Sequence, residues 1–292
     1  MLTQLIKLAR PKQWLKNLFV LAPLIFAGEA GNSDAVLRAV AAMGLFCLLS
    51  SAVYAFNDLI DRNSDRQHPL KKDRPLASGK VTVGAAAGLI AVTVGGGIIG
   101  SWFLGISFFI TALVFLGLNL VYSLALKNIV ILDAMGVALS FVLRGYAGAV
   151  AIDVPVSQWL LINTFLLALF MAFGKRRHEL TMLDTTATAH RKILGRYSPY
   201  LLDQLIGVTT PSVVVMYMLY SMSAEVSSKL HTNHLYMTIP FVVYGIFRYL
   251  YLIHKEDKGG SPTDILIEDR PLALTVVLWA LSAIAILYFF RV

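Results

Sequence analysis

Three aspartates with helical spacing are the residues of this chain best suited to chemistry. Asp58, Asp61 and Asp65 follow a long apolar run at residues 36–56. If the helix continues past that run, they lie at positions i, i+3 and i+7, on one face and within about 11 Å along the axis. Three carboxylates so close repel one another unless a cation lies between them. Because magnesium prefers hard oxygen ligands and substrate phosphates, we predict a magnesium–diphosphate site, with the Asn57 amide as a neutral ligand.

The alternative for these aspartates is a solvated, charged helix end. The carboxyl end of a helix is the negative end of its dipole and favours cations, so three carboxylates there are unfavourable unless a metal offsets the repulsion. We therefore prefer the metal interpretation, with Asp58, Asp61 and Asp65 as the catalytic set.

The composition that surrounds this motif is typical of a polytopic membrane protein. Hydrophobic residues make up 57% of the 292 residues and charged residues only 14%, whereas soluble domains carry about 25% charged residues. We expect an all-α membrane bundle that forms one domain over residues 1–292. Apolar runs predict roughly nine transmembrane helices, at residues 14–29, 36–56, 83–103, 106–125, 130–151, 157–174, 205–224, 235–254 and 271–290.

The positive charges predict the orientation of this bundle. The chain carries 25 lysines and arginines and a formal net charge of +8. Nearly all of these cations fall in the N-terminal segment and in alternate loops, as in proteins whose basic loops face the cytoplasm; the exceptions are Arg38, Arg144, Lys229 and Arg291. We therefore expect a cytoplasmic N-terminus and an active-site cavity open to the cytoplasmic side. This distribution gives no support to a nucleic acid partner.

Basic side chains near the aspartates could hold substrate phosphates. Arg74 lies in the loop after the aspartates, and its guanidinium fork suits phosphate oxygens. Most of that loop is also explained by cytoplasmic topology or by contact with lipid head groups. Lys16 lies at the start of the first predicted span, where a buried ammonium group needs an anionic partner. We predict that Arg74 and Lys16 bind substrate.

A second set of ionisable residues lies in or beside apolar sequence. Tyr122, Lys127 and Arg144 are predicted to bind substrate, because an ionisable group inside a membrane is a functional candidate. Arg144 would lie about 16 Å deeper along a helix than Asp133. The alternative for this set is an internal ion pair that holds two spans together.

Lys175, Arg176 and Glu179 begin the loop after the sixth predicted span. The two cations could bind phosphate, and the acid could complete a second metal shell; the alternative is that they only set the topology. Asp264 and Glu268 lie one helical turn apart before the last span. Their preferred role is structural, as acids near the positive end of a short capped helix.

The run Asn57-Asp58-Leu59-Ile60-Asp61-Arg62-Asn63-Ser64-Asp65 resembles the first signature, N-D-x-x-D-x-x-x-D, of the UbiA-type intramembrane prenyltransferases. This resemblance covers nearly the whole chain. One branch, the decaprenyl-phosphate phosphoribosyltransferases, is similar in further segments: residues 10–17, 65–75, 126–127, 143–148, 174–180 and 264–270. Aromatic prenyltransferases of the superfamily carry a second aspartate-rich motif after the sixth span, where this chain has the basic run Lys175-Arg176-Arg177-His178-Glu179.

The resemblance implies a magnesium-dependent transferase of the bacterial inner membrane. The implied donor is 5-phosphoribosyl 1-diphosphate and the implied acceptor is a long polyprenyl phosphate, in a step towards lipid-linked pentose donors for cell-envelope glycans. Mg²⁺ on the aspartates would neutralise the diphosphate, and cations would hold the 5-phosphate. A homo-oligomer is compatible with such a fold, although the sequence does not specify one.

Two alternative functions remain open at this point. A prenyl diphosphate:aromatic acceptor transferase would use the same scaffold, but it would need a second carboxylate cluster, for which Asp264 and Glu268 are candidates. An anion transporter would carry its substrate unchanged across the membrane. The clustering of polar residues on one side of the predicted bundle disfavours the transporter.

Overall fold

The computed structural model describes residues 1–67, 71–183, 193–256 and 260–290. Within these ranges every regular element is helical, as predicted. Several predicted loop residues lie outside the described ranges: His68, Pro69, His190, Arg191, Lys192, Lys258 and Arg291. The α-helices are α1 (Leu2–Ala9), α2 (Ala22–Phe26), α3 (Ser33–Ile60), α4 (Arg62–Gln67), α5 (Val83–Phe103), α6 (Ile106–Leu124), α7 (Leu132–Ala151), α8 (Gln158–Leu183), α9 (Pro199–Met222), α10 (Ala224–Leu230), α11 (Ile239–Lys255), α12 (Pro262–Glu268) and α13 (Arg270–Phe289).

The described residues include eight helices that are long and apolar enough to cross a membrane. These are α3, α5, α6, α7, α8, α9, α11 and α13, and they correspond to the second to ninth predicted spans. The first predicted span, residues 14–29, takes a different form. A 3₁₀ helix at Pro11–Leu21 continues directly into α2. Because a 3₁₀ helix rises about 2.0 Å per residue, the two together reach about 30 Å, the thickness of a bilayer's hydrocarbon core.

A proline explains how this 3₁₀ segment ends. Pro23 has no N–H group, so it cannot donate an α-helical hydrogen bond to the carbonyl of Phe19. That carbonyl accepts instead from the N–H of Ala22, three residues on. The 3₁₀ segment thus continues into α2 with uninterrupted backbone hydrogen bonding.

Glycines allow close approach between the helices that carry the candidate site. A Cβ added at Gly148 of α7 would overlap the backbone carbonyl of Val20 in the 3₁₀ segment, and one at Gly97 of α5 would lie 2.5 Å from Leu49 of α3. The core between these elements is aromatic, with the rings of Phe46 and Phe115 centred 4.9 Å apart. The 3₁₀ segment is therefore held in backbone contact with α7.

Several helices begin with a side-chain cap. The hydroxyl of Ser261 accepts from the N–H of Asp264 at 3.4 Å and begins α12, in line with the structural role predicted for that acid. The carboxylate of Asp269 accepts from the N–H of Leu272 at 2.9 Å and begins α13. At the other end of the bundle, Asn32 caps α3. These caps fix the ends of the helices that carry the acids.

We predict that Gly148→Ala separates the 3₁₀ segment from α7 and destabilises the protein. The added methyl group would meet a backbone oxygen, which cannot move aside as a side chain can, and overpacking of this kind costs about 1–3 kcal/mol. The measurement is the thermal unfolding midpoint in detergent. Gly145→Ala, on the same helix with its nearest neighbour at 4.0 Å, is the matched control and should leave the midpoint unchanged. Equal midpoints for the two variants would contradict the backbone contact.

Candidate active site

The three aspartates lie where α3 ends and α4 begins. Helix α3 stops at Ile60, Asp61 forms the turn, and α4 carries Asp65. Backbone hydrogen bonds continue through the turn, from the N–H of Asp61 to the carbonyl of Asn57 at 2.9 Å and from the N–H of Asp65 to that of Asp61 at 2.8 Å. Asp58 and Asp65 are 1% and 4% exposed. The helical spacing expected from the sequence is therefore preserved across the break between the helices.

Each aspartate is bonded to at least one cation. The guanidinium of Arg74 donates to Asp58 at 3.0 Å and to Asp65 at 2.7 Å, and Arg10 also pairs with Asp58. The ammonium of Lys127 lies 2.6 Å from Asp61. The predicted residues Arg74 and Lys127 thus meet the aspartates directly.

The predicted metal ligand Asn57 also lies in this group, since its side-chain oxygen is 3.5 Å from the ammonium of Lys127. Asn57, Asp58, Asp61 and Asp65 are therefore gathered at one place. In the described ranges, no three acidic, histidine or cysteine side chains converge closely enough to hold a metal ion. In this conformation the carboxylates face arginine and lysine side chains.

One oxygen of this cluster fits a metal ion. Oδ2 of Asp58 is buried and has no hydrogen-bond partner among the described residues. A buried carboxylate oxygen without a partner is unfavourable, and a divalent cation is the ligand that such an oxygen binds. The donor set of three carboxylates and one amide oxygen is also the type that magnesium prefers. The residues present are therefore suited to Mg²⁺.

The pKa of Asp65 supports this interpretation of the charges. Burial raises the pKa of Asp65 above its usual value, the Arg74 guanidinium lowers it, and the neighbouring Asp58 carboxylate raises it again. The net direction is upward. Arg74 and the more distant Lys71 thus do not offset the burial of Asp65, and a further cation nearby would favour its ionised form.

Lys16 and Arg10 lie beside a tyrosine that the sequence analysis did not select. The ammonium of Lys16 is 5.8 Å from the ring centre of Tyr54, and the guanidinium of Arg10 is 5.5 Å from it. Tyr54 lies one helical turn before Asp58 on α3. Both cations therefore stand over an aromatic ring at the edge of the aspartate cluster.

Arg144 is separate from this cluster. It is 4% exposed, and its guanidinium donates to the side-chain oxygen of Asn17 at 2.8 Å, to the hydroxyl of Ser140 at 2.8 Å and to that of Ser50 at 3.3 Å. Among the described residues no carboxylate pairs with it. Neutral oxygens bind Arg144 and join α7, α3 and the 3₁₀ segment, so within the described ranges Arg144 takes no part in an internal ion pair between spans.

Arg176 forms the ion pair with Asp133 instead. Its guanidinium lies 2.5 Å from Asp133 and 2.5 Å from Glu179, and Lys175 lies 3.7 Å from Glu179. Arg176 is 2% exposed and Asp133 is fully buried. In this arrangement Glu179 bonds to arginine and lysine, and its role in a second metal shell stays a prediction.

Tyr197 ties this buried pair to the start of α7. Its hydroxyl donates to Asp133 at 2.7 Å and accepts from the N–H of Ile131 at 2.7 Å. Burial raises the pKa of Tyr197 above its ordinary value, and the hydrogen bond to Asp133 raises it further, so the phenol keeps its proton. Ile131 has φ +69°, a strained conformation for a β-branched residue. The hydroxyl of Tyr197 therefore helps to hold a strained turn.

Tyr122 contributes to packing at the same level of the bundle. A Cβ at Gly136 would lie 2.9 Å from its ring, so Tyr122 brings α6 close to α7. Of the residues selected from sequence, Asn57, Asp58, Asp61, Asp65, Arg74 and Lys127 meet in one cluster. Lys16 lies at its edge, whereas Arg144 and the group Lys175, Arg176 and Glu179 form two separate polar clusters.

The sequence analysis missed Arg10 and Tyr54 as site residues. Arg10 stands outside the first apolar run, in a left-handed conformation with φ 54° that sequence does not reveal. The spacing of Tyr54, four residues before Asp58 on the same helix, was a usable signal.

Comparisons with known proteins identify the family. The profile of the UbiA prenyltransferase family matches residues 17–264. A decaprenyl-phosphate phosphoribosyltransferase of Mycolicibacterium smegmatis is 36% identical, over 98% of this chain and 92% of the relative. A protein of the same name in Corynebacterium glutamicum is 32% identical, over 97% of this chain and 86% of the relative.

Solved structures share the fold. A UbiA homologue from Archaeoglobus fulgidus, determined with GPP and Mg²⁺, superposes with a TM-score of 0.71 at 20% identity, and covers 97% of this chain and 99% of that chain. The sequence matches extend over nearly the full length, and the solved structure shares the helical fold. The chain is a multi-pass membrane transferase and belongs to the UbiA prenyltransferase family.

Proposed function

We propose that this chain transfers a 5-phosphoribosyl group from 5-phosphoribosyl 1-diphosphate to a polyprenyl phosphate and releases diphosphate, with Mg²⁺ as cofactor. The observation that carries this proposal is the surplus of cations at the aspartate cluster, where Arg10, Arg74 and Lys127 bond to the carboxylates and Lys16 lies alongside. A donor with a diphosphate and a further phosphate needs such a surplus. The names of the relatives from Mycolicibacterium smegmatis and Corynebacterium glutamicum support a phosphoribosyl group as the group transferred and a polyprenyl phosphate as the acceptor.

The cluster would exchange partners when the donor binds. Asp58, Asp61, Asp65 and the Asn57 oxygen would hold Mg²⁺, with Oδ2 of Asp58 gaining the partner that it lacks. Bound Mg²⁺ would supply the positive charge that stabilises the leaving diphosphate. Arg74 would then give up its carboxylates and bind phosphate oxygens, for which its planar guanidinium is suited.

The chain's own residues would position the reactants more than they would move protons. An oxygen of the lipid phosphate forms the new bond to the anomeric carbon, while the bond from that carbon to the diphosphate oxygen breaks and its electron pair leaves with diphosphate. One displacement inverts the configuration at this carbon. Because the second ionisation of a phosphate monoester lies near pH 6, the nucleophile needs no histidine base. Lys16 and Tyr54 would orient the donor, and catalysis would come from positioning and charge stabilisation.

The reaction would take place at the cytoplasmic face of a bacterial inner membrane, with the N-terminus inside. The distribution of the 25 lysines and arginines supports this orientation. The two buried clusters, around Arg144 and Arg176, would serve this site by fixing the helices that surround it.

A transfer assay tests the proposal against its rival. Membranes that contain the protein are incubated with Mg²⁺, labelled 5-phosphoribosyl 1-diphosphate and polyprenyl phosphate, and in parallel with a prenyl diphosphate and an aromatic acceptor. We expect labelled lipid in the first mixture only. Turnover of the prenyl diphosphate without labelled lipid would favour the aromatic prenyltransferase and overturn the proposal.

Neutralising a metal-binding aspartate should remove activity without unfolding the protein. Asp58→Asn and Asp61→Asn keep the side-chain shape but lose the charge that would hold Mg²⁺. We expect transfer to fall by about 100-fold or more, as for other electrostatic groups at a reacting centre. Asp34→Asn, an exposed acid at the far end of α3, is the control and should keep full activity. Near-normal turnover of either active-site variant at ordinary Mg²⁺ concentrations would refute the metal assignment.

Removal of the Lys16 ammonium should weaken binding of the donor. For Lys16→Ala we expect a KM for 5-phosphoribosyl 1-diphosphate about tenfold higher, the equivalent of one lost charge-assisted contact, with little change in kcat. Lys12→Ala, four residues earlier and exposed, provides the comparison. A lower kcat at an unchanged donor KM would contradict a binding role for Lys16.

A further inference from the structure

A cavity lies next to the aspartate cluster, and the reaction described above gives it no role. Its volume is about 440 Å³. It opens between the ends of α3 and α6, the 3₁₀ turn Leu126–Asn128 and the 3₁₀ turn Leu194–Arg196. Asp61 and Lys127 line it, so the cavity adjoins the aspartate cluster.

A buried hydroxyl in the cavity wall has no partner. Ser123 is 1% exposed, and its Oγ makes no hydrogen bond within the described part of the chain. A serine in a helix usually bonds the carbonyl four residues earlier, as Thr111 does earlier in α6 at 2.7 Å from Ser107. Since buried polar atoms are nearly always paired, the Ser123 hydroxyl is an unsatisfied hydrogen-bonding group in the wall of the cavity.

The charges of the cavity favour an anion. Lys127 and Arg196 line it opposite a single acid, Asp61, and that acid is already bonded to Lys127. Arg196 is exposed, and within the described ranges no carboxylate pairs with it. The guanidinium of Arg196, the ammonium of Lys127 and the hydroxyl of Ser123 therefore lie together in the cavity lining, and these groups suit a phosphate.

The remaining walls are apolar. Ile60 and Leu124 are 40% and 60% exposed at the ends of two membrane-crossing helices, and Ile193 is buried beside them. A sugar phosphate has no hydrocarbon to cover these side chains. A phosphate that carries an isoprenoid tail does, because its first carbons can leave the cavity along the apolar ends of α3 and α6.

We propose that this cavity binds the phosphate head group of the lipid acceptor, with Arg196 and Lys127 on its oxygens and Ser123 donating a hydrogen bond. The proposal rests on the function proposed above. Asp61 and Lys127 belong to both sites, so the acceptor phosphate lies beside the diphosphate end of the donor. From there an oxygen of the acceptor phosphate can reach the anomeric carbon.

The Tyr197 hydrogen bonds explain how the cavity keeps its shape. Arg196 is the neighbour of Tyr197, whose hydroxyl bonds both Asp133 and the N–H of Ile131. Those two residues follow the turn that carries Lys127. Lys127 and Arg196 therefore lie on two chain segments that the hydrogen bonds of Tyr197 connect.

The test compares the two substrates in Arg196→Gln and Ser123→Ala. We expect the KM for polyprenyl phosphate to rise about tenfold in Arg196→Gln and severalfold in Ser123→Ala, while the KM for 5-phosphoribosyl 1-diphosphate stays within about twofold. Arg196→Lys should restore part of the loss. The controls are Lys255→Gln, an exposed cation at the end of α11, and Ser107→Ala, at the opposite end of α6; both should behave as wild type.

Binding of farnesyl phosphate to the full-length protein without donor gives a readout that does not depend on catalysis. Weaker binding in Arg196→Gln, with normal binding in Lys255→Gln, would support the cavity. A raised KM for the donor alone would assign the cavity to the 5-phosphate of the donor and overturn the proposal, as would unchanged values for both substrates. If wild-type protein transfers no phosphoribosyl group, the proposed function fails, yet loss of farnesyl phosphate binding in Arg196→Gln would still support a lipid-phosphate cavity.

Discussion

The pairing of three buried or half-buried aspartates with arginine and lysine is the interaction on which the rest of the structure depends. Carboxylates at the mouth of a membrane helix carry a desolvation penalty of several kcal/mol unless positive charge is near. Arg10 comes from the N-terminal segment, Arg74 from the loop after α4 and Lys127 from the turn after α6. Satisfying the acids therefore brings three distant parts of the chain to one place, and those are the parts that a phosphate-rich substrate would also need.

The central helix α7 supports this arrangement through two buried arginine clusters. It is the most enclosed of the eight described spans, with 61% of its apolar stretch buried inside the protein. Arg144 on α7 binds Asn17 and Ser50 of neighbouring elements, and Asp133 at its start binds Arg176 of α8. Both clusters are stabilised by hydrogen bonds in a medium where unpaired polar groups are costly. They make the positions of the first segment, α3 and α8 mutually dependent.

The sequence predicted the parts of the site that follow from local spacing. The Asp58–Asp65 spacing and the apolar spans from α3 onward follow from periodicity. Arg74 and Lys127 were selected from sequence as substrate-binding residues, and their contacts with the aspartates are known only from the structure. Arg10 and Tyr54 were missed because their place depends on how the first segment packs against α3. Arg144 and Asp133 lie in the same helix, and the sequence did not show which other segments supply their partners. These pairings depend on tertiary packing, which a local sequence pattern does not reveal.

The 3₁₀ conformation of Pro11–Leu21 gives its side chains a period of three, where an α-helix has 3.6. Trp14, Asn17 and Val20 then fall on one line, and these are the residues that meet Ser51, the Arg144 cluster and Gly148. Leu15 and Leu18 fall on a second line and are exposed, and Lys16 belongs to a third beside Tyr54. The segment thus has three sides: one packs against the bundle, one carries exposed leucines, and one carries Lys16 beside Tyr54 and Phe19 against Phe141. A single inserted residue would turn every side by about 120° and exchange their roles.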